Sequence, residues 1–218
     1  MSENRLELKR QEILDLVEEY YEISVEEKTY DRQIRVSGKV YDAHEMTNLV
    51  DSALDFWLTS GRFTQAFEKR FSDYLGVRWA GIVNSGSSAN LLALSALTSH
   101  LLGDRRIQPG DEIITVAAGF PTTVNPIFQI GATPVFVDVE LPTYNIDTAL
   151  VETAITSKTK AIILAHTLGN PFNLREITRI AKDNNLWLVE DTCDALGTQY
   201  DGQMAGTFGD IATFSFYP

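Results

Sequence analysis

Three short stretches carry residues able to do chemistry together. The first is Asn84-Ser85-Gly86-Ser87-Ser88-Ala89-Asn90, which follows the apolar run 79–83 and precedes the apolar segment LLALSAL. A strand that enters a helix through a turn of small residues leaves the first helix amides unpaired. It also aims the positive end of the helix dipole at the same point, which makes an anion site. The hydroxyls of Ser85, Ser87 and Ser88 add donors. The turn holds no lysine and one glycine, so it is neither a Walker phosphate loop nor the dinucleotide fingerprint. A Ser N-cap on a buried helix accounts for the same residues, and both readings stand at this point.

The second stretch, Ala117-Ala118-Gly119-Phe120-Pro121-Thr122-Thr123, follows the apolar run 112–116. Phe120 sits in a Gly-Pro turn at the end of an expected strand, where it either stacks on a planar ligand ring or joins the core. The third is LWLVED followed by Thr192-Cys193-Asp194. A carboxylate at the end of a buried strand requires a partner. One use for Asp191 is to pair with a cofactor's pyridinium nitrogen and keep that ring electron-withdrawing. The alternative is a turn cap, for which Asp-Thr is suitable chemistry. Cys193 reads by default as a small buried hydrophobe, and His166 as a satisfied histidine at a strand end.

The elements that must position these residues show in the hydropathy pattern. From residue 78 onward, apolar runs at 79–83, 112–116, 133–139, 161–165, 186–189 and 211–216 alternate with helical or loop segments, among them 89–101 and 174–183. Near-continuous apolar strands between helices predict an α/β fold with a mainly parallel sheet covered on both faces. In such sheets ligands bind beyond the carboxyl ends of the strands, where all three stretches lie. Ahead of this body the pattern is helical. Ile13, Leu16, Val17 and Tyr20 mark one amphipathic face, and 22–30 reads as a loop or fray. Met46, Leu49, Val50, Ala53, Leu54 and Trp57 mark a second helix, and Phe63, Phe67, Phe71 and Tyr74 a third that stops at Gly76. The expected organisation is an N-terminal helical arm over 1–60 and a large domain over 61–218.

Composition narrows the function classes. The 218 residues are 44% hydrophobic and 22% charged, enough for a substantial core. The formal net charge of −12 disfavours nucleic acid and anionic membranes as partners. A single cysteine excludes an internal disulfide and points to a cytoplasmic setting. The charged N-terminus does not read as a signal peptide, and no window approaches a membrane span.

Taken in order, NSGSSANLLAL, GDEIITVAAGFPTTVNPI, GATPVFVDV, KTKAIILAHTLGNP, LWLVEDTCDALG and GTFGDIATFSFYP resemble the DegT/StrS family of sugar aminotransferases and dehydrases. SGKVYD at 37–42, LDFWLTSGRF at 54–63 and EDTCDALG add a likeness to its RfbH-type CDP-4-keto-6-deoxyglucose 3-dehydrases. The resemblance implies a fold type I pyridoxal-phosphate (aspartate aminotransferase-like) large domain. It also implies dehydration at C-3 of a CDP-4-keto-6-deoxyhexose, with pyridoxamine or pyridoxal 5′-phosphate, on the way to the 3,6-dideoxyhexoses of O-antigen lipopolysaccharide. Carried over by position, Gly86, Ser87 and Ser215 would bind the cofactor phosphate, Phe120 would stack on the ring and Asp191 would pair with its nitrogen. Asp194 stands where the family's transaminases carry a glutamine near the ring hydroxyl, a departure shared with the dehydrase subgroup. Cys193 matches one ligand of a two-iron two-sulfur cluster, expected to form only in a longer parent chain. A homodimer and a flavin/iron–sulfur reductase partner are implied as well.

The residue that separates the two chemistries, lysine for transamination or histidine for dehydration, falls five positions after Ser215, beyond Pro218. The chain is therefore expected to be truncated before the last strand and the small domain, and inactive alone. The alternatives are a sugar-nucleotide aminotransferase of the same family and a non-catalytic cofactor-binding fragment.

Overall fold

The structure, a computed structural model, describes residues 2–26, 38 and 40–216. It divides into two compact units, one running to Ile82 and the other starting at Val83.

The first unit is helical: α1 Ser2–Glu26, α2 Ala43–Ala53 and α3 Arg62–Leu75. α1 continues five residues into the stretch expected as loop, and 27–30 lie outside the described residues. Glu22-Ile23-Ser24-Val25 is polar but holds no Gly or Pro, and polarity alone does not end a helix. α2 starts at a capping box, in which the Asp42 carboxylate accepts from the His44 amide at 2.7 Å and Glu45 accepts from the Asp42 amide at 2.8 Å. It stops at Ala53, short of the expected Trp57, because the chain turns out through a left-handed Phe56 (φ 53°). Asp51 of α2 and Asp55, just past its end, join the three helices. Arg10 of α1 reaches Asp51 at 2.9 Å and Asp55 at 2.8 Å, and Arg62 of α3 reaches the same two at 2.5 and 2.8 Å. Arg62 and then Arg10 hold Asp55 below the usual carboxylate range.

The expected strand at 79–83 does not form. Trp79 is 73% exposed, and the Ile82 amide donates to the Glu68 carboxylate at 2.9 Å instead of to a neighbouring strand. An apolar run without a ladder partner stays irregular.

The second unit is the predicted parallel sheet. Its strands β1 Glu112–Val116, β2 Thr133–Val137, β3 Thr159–Ala165, β4 Trp187–Asp191 and β7 Ile211–Thr213 lie in the order β2-β1-β3-β4-β7, every neighbouring pair parallel. The helices are α4 Gly86–Ala96, α5 Pro121–Gln129, α6 Thr148–Ala154 and α7 Leu174–Asp183. A two-stranded hairpin, β5 Gln199–Tyr200 and β6 Gln203–Met204, turns at Asp201-Gly202.

Alternation along the strands splits the core into two faces. Ile114, Ile162, Leu164 and Leu188 pack with Val151 of α6 and Leu174, Ile177 and Ile180 of α7. Ile113, Ala161, Ile163 and Val189 pack with Ala93 and Leu94 of α4 and Ile127 of α5. Among the described residues no helix is long and apolar enough to cross a membrane.

Ile177 is 0% exposed at the centre of the α7 face. Ile177→Ala is expected to lower unfolding stability by about 2–5 kcal/mol. The check is the midpoint of chemical denaturation at an unchanged denaturant slope.

Candidate cofactor site

Because the strands are parallel, the loops after β1, β3, β4 and β7 leave the same edge of the sheet, and the candidate residues gather there. β4 runs two residues beyond the expected apolar stretch, so Glu190 and Asp191 are strand residues on opposite faces, both buried.

Asp191 faces α4 and α5. Its Oδ2 accepts from Asn90 Nδ2 at 2.8 Å and from Thr123 Oγ1 at 2.7 Å, while its Oδ1 accepts from the Cys193 amide at 3.2 Å. The last contact is the expected turn cap, present alongside the side-chain donors. Asn90 Oδ1 accepts from Thr213 Oγ1 of β7 at 2.7 Å, and Asn90 Nδ2 also donates to the Thr122 carbonyl at 3.2 Å.

Glu190 faces the other way. Its carboxylate accepts from the amides of Gly206, Phe208 and Gly209 at 2.8, 2.8 and 2.6 Å and lies 3.1 Å from His166 Nε2. An ionised carboxylate only accepts, which assigns the ring proton to Nε2. The imidazole stacks on Phe172 at 4.4 Å, and Nδ1 has no hydrogen-bond partner.

Ser85 caps α4, its Oγ accepting from the Ser88 amide at 3.2 Å, so the N-cap reading holds. The amides of Gly86 and Ser87, at the first helical positions, have no intrahelical acceptor. Gly86 lies in close packing. A Cβ there would sit 3.0 Å from Cys193 Sγ and 3.0 Å from Ser215 Cβ, tighter than ordinary contact. The start of α4 thus touches both Cys193 and Ser215, and Asn90 on the same helix holds Asp191. Phe120 is not a core aromatic: it is 69% exposed as the N-cap residue of α5, and its carbonyl accepts from the amide of Thr123 at 3.1 Å. Ser87 and Asp194 are exposed, and the Asp194 carbonyl oxygen is 3.0 Å from where a Cβ on Gly169 would fall.

The expectation that Cys193 ligates an iron–sulfur cluster is overturned. Such a cluster takes four thiolates, Cys193 is the chain's one cysteine, and among the described residues no three His, Cys, Asp or Glu side chains converge as metal ligands. Burial first, and the Asp191 charge next, push the thiol above its ordinary range.

Asn90, Thr123 and Thr213 were not anticipated from sequence, whereas His166, just past β3, is satisfied at Nε2 by Glu190 as a strand-end histidine. Asn90 left a signal: it stands at i of the buried stripe Asn90, Ala93, Leu94, Leu97, where a polar residue must find partners.

Residues 40–218 match the DegT/DnrJ/EryC1/StrS aminotransferase family, to which the chain therefore belongs. It is 58% identical over 212 residues to the lipopolysaccharide biosynthesis protein RfbH of Salmonella typhimurium, covering 96% of this chain and 48% of that one. It is 56% identical over 185 residues to the dTDP-4-dehydro-2,6-dideoxy-D-glucose 3-dehydratase of Saccharopolyspora spinosa, covering 85% and 40%. The chain spans less than half the length of these relatives. Among solved structures it resembles the E. coli GDP-4-keto-6-deoxy-D-mannose-3-dehydratase with bound hydrated PLP. The TM-score is 0.77 at 37% identity, covering 85% of this chain and 47% of that one. The fold is the aspartate-aminotransferase-like fold type I expected from the motifs.

The raised thiol pKa has a pH consequence. The folded chain keeps the Cys193 proton to higher pH than the unfolded chain, so unfolding releases a proton once pH passes the ordinary thiol range, about 8.5. The thiol's contribution to stability is complete below that pH and declines above it. Denaturation midpoints should fall more steeply above pH 8.5 in the parent than in Cys193→Ala, and iodoacetamide should alkylate the native thiol more slowly than a free thiol.

Proposed function

We propose that this chain carries the cofactor-binding half of an enzyme that uses pyridoxamine or pyridoxal 5′-phosphate to dehydrate a CDP-4-keto-6-deoxyhexose at C-3, in lipopolysaccharide dideoxysugar synthesis. The observation that carries the reading is the convergence of the α4 start with Ser215 and, through Asn90, with Asp191. The residues present fit such a group. The lack of a side chain at Gly86 lets the start of α4, with its free amides, lie close against Ser215, a donor set suited to a phosphate. Asp191 Oδ1 supplies an acceptor for a ring N–H, and exposed Phe120 supplies a face for stacking.

Each residue has a task within this reading. Gly86 and Ser87 offer amides, and Ser87 and Ser215 hydroxyls, to the phosphate. Phe120 restricts ring tilt, and Asp191 holds the ring nitrogen's proton. Asp194 lies near the ring hydroxyl. When bound, pyridoxamine phosphate would supply an amine able to condense with the 4-keto carbon and a ring able to hold the electron pair left by proton loss until that pair expels the 3-hydroxyl.

Elimination at C-3 is favoured because relatives acting on dTDP- and GDP-linked sugars are both named 3-dehydratases, and because Asp194 replaces the glutamine of the transaminases. The CDP nucleotide rests on the likeness to the RfbH type. The family's aminotransferases supply the second reading, in which an amino group is transferred to the same 4-keto carbon.

Titration of the chain with pyridoxamine 5′-phosphate, followed by ligand fluorescence, should give saturable binding. Asp191→Asn should weaken it on the order of tenfold or more, the loss of one charge-assisted hydrogen bond. In the full-length protein, supplied with CDP-4-keto-6-deoxyglucose and glutamate, mass spectrometry should show loss of the 3-hydroxyl. An amino sugar with the 3-hydroxyl retained would establish transamination instead.

A further inference from the structure

The two oxygens of Asp191 are treated unequally. Oδ2 takes the two strong side-chain donors, Asn90 Nδ2 at 2.8 Å and Thr123 Oγ1 at 2.7 Å, whereas Oδ1 takes one longer contact from the Cys193 amide at 3.2 Å, and the Cys193 thiol adds only a weak donor to the carboxylate. A carboxylate oxygen offers about two lone-pair directions, so Oδ2 is filled by strong donors, while Oδ1, held by a long amide contact, is the oxygen with capacity for a further strong donor. The donor to Oδ2 is itself locked. Asn90 is 0% exposed, its Oδ1 accepts from Thr213 Oγ1 at 2.7 Å, and its second N–H meets the Thr122 carbonyl at 3.2 Å. Rotating the amide by half a turn would set an oxygen against both the Asp191 carboxylate and that carbonyl, so one orientation is allowed. The three residues come from α4, α5 and β7, which pins the carboxylate from three separate elements.

We propose that Asn90, Thr123 and Thr213 form a clamp that turns Asp191 so that Oδ1, and not Oδ2, receives the ring N–H of the bound cofactor. The proposal rests on the cofactor reading above and extends it by assigning the acceptor atom and the residues that select it. They are positioning residues. Asn90 and Thr123 act on Asp191 directly, and the Thr213 hydroxyl acts through Asn90 and through the Cys193 thiol. A ring N–H is directional, and a misaimed acceptor loses most of the bond before it loses contact.

The test compares two probes on the full 218-residue chain: pyridoxamine 5′-phosphate and its 1-deaza analogue, in which the ring nitrogen is a C–H. Both share the phosphate, the stacking face and the ring hydroxyl, so the ratio of their affinities isolates the contact to Asp191. In the parent the ratio should favour the nitrogen-bearing ring by about tenfold or more. Thr213→Val is decisive because it removes a hydroxyl that does not touch Asp191. The ratio should fall severalfold while affinity for the deaza analogue holds within about twofold, and Thr213→Ser should restore the parent ratio. Thr123→Val and Thr123→Ser should behave as a second such pair, independent of whether Asn90→Leu folds. A parent ratio retained in both valine variants overturns the clamp and leaves the cofactor reading standing. So does a loss in both probes alike, which would mark the hydroxyls as merely structural. A parent chain that binds neither probe, or does not distinguish them, defeats the cofactor reading and the clamp with it.

Discussion

Two adjacent carboxylates, Glu190 and Asp191, are buried at the end of one strand, and the rest of the second unit is arranged around them. Leaving either unpaired in a low-dielectric interior would cost several kcal/mol, so each has to collect donors. Strand alternation sends them to opposite faces, and the donors therefore come from different parts of the chain. Glu190 gathers the 206–209 loop and His166. Asp191 gathers the starts of α4 and α5 and, through Asn90, β7. The same bonds that satisfy two charges bring Gly86, Ser215 and the Phe120 turn to one edge of the sheet.

The parallel sheet was legible in sequence because β1, β3 and β4 are covered on both faces and so read as unbroken apolar runs. α7 was legible because Leu174, Ile177 and Ile180 repeat on one face. The run at 79–83 misled because strand character belongs to a pair, and composition does not reveal whether a partner exists. The hairpin at Asp201-Gly202 carried a recognised turn signal, but two-residue strands are too short to show alternation. Within the site, Gly86, Phe120, Asp191 and Ser215 stood out by residue type and place. Asn90, Thr123 and Thr213 did not, because a buried Asn or Thr is informative only once its partner is known, and here the partners lie 68 to 123 residues away along the chain.

The acidic balance acquires a particular meaning beside such a site. A chain with a formal net charge of −12 gives a phosphorylated ligand no long-range attraction. Whatever holds an anion must act at contact range, through amides and hydroxyls. The Arg10 and Arg62 guanidinium groups are not available for that task, since both are committed to Asp51 and Asp55. An anion site built from backbone amides is correspondingly less sensitive to ionic strength than one built from a basic patch.

The three amides that Glu190 takes from the 206–209 loop lie 16 to 19 residues further along the chain. The chain thus supplies the negative charge for its own cluster of backbone donors, a role commonly left to a bound phosphate. Closing a loop of that length carries an entropic cost before any bond forms, and here no bond can form until β4 has delivered its carboxylate to the sheet. The approach to β7 is thus tied to a charge buried in the sheet's interior.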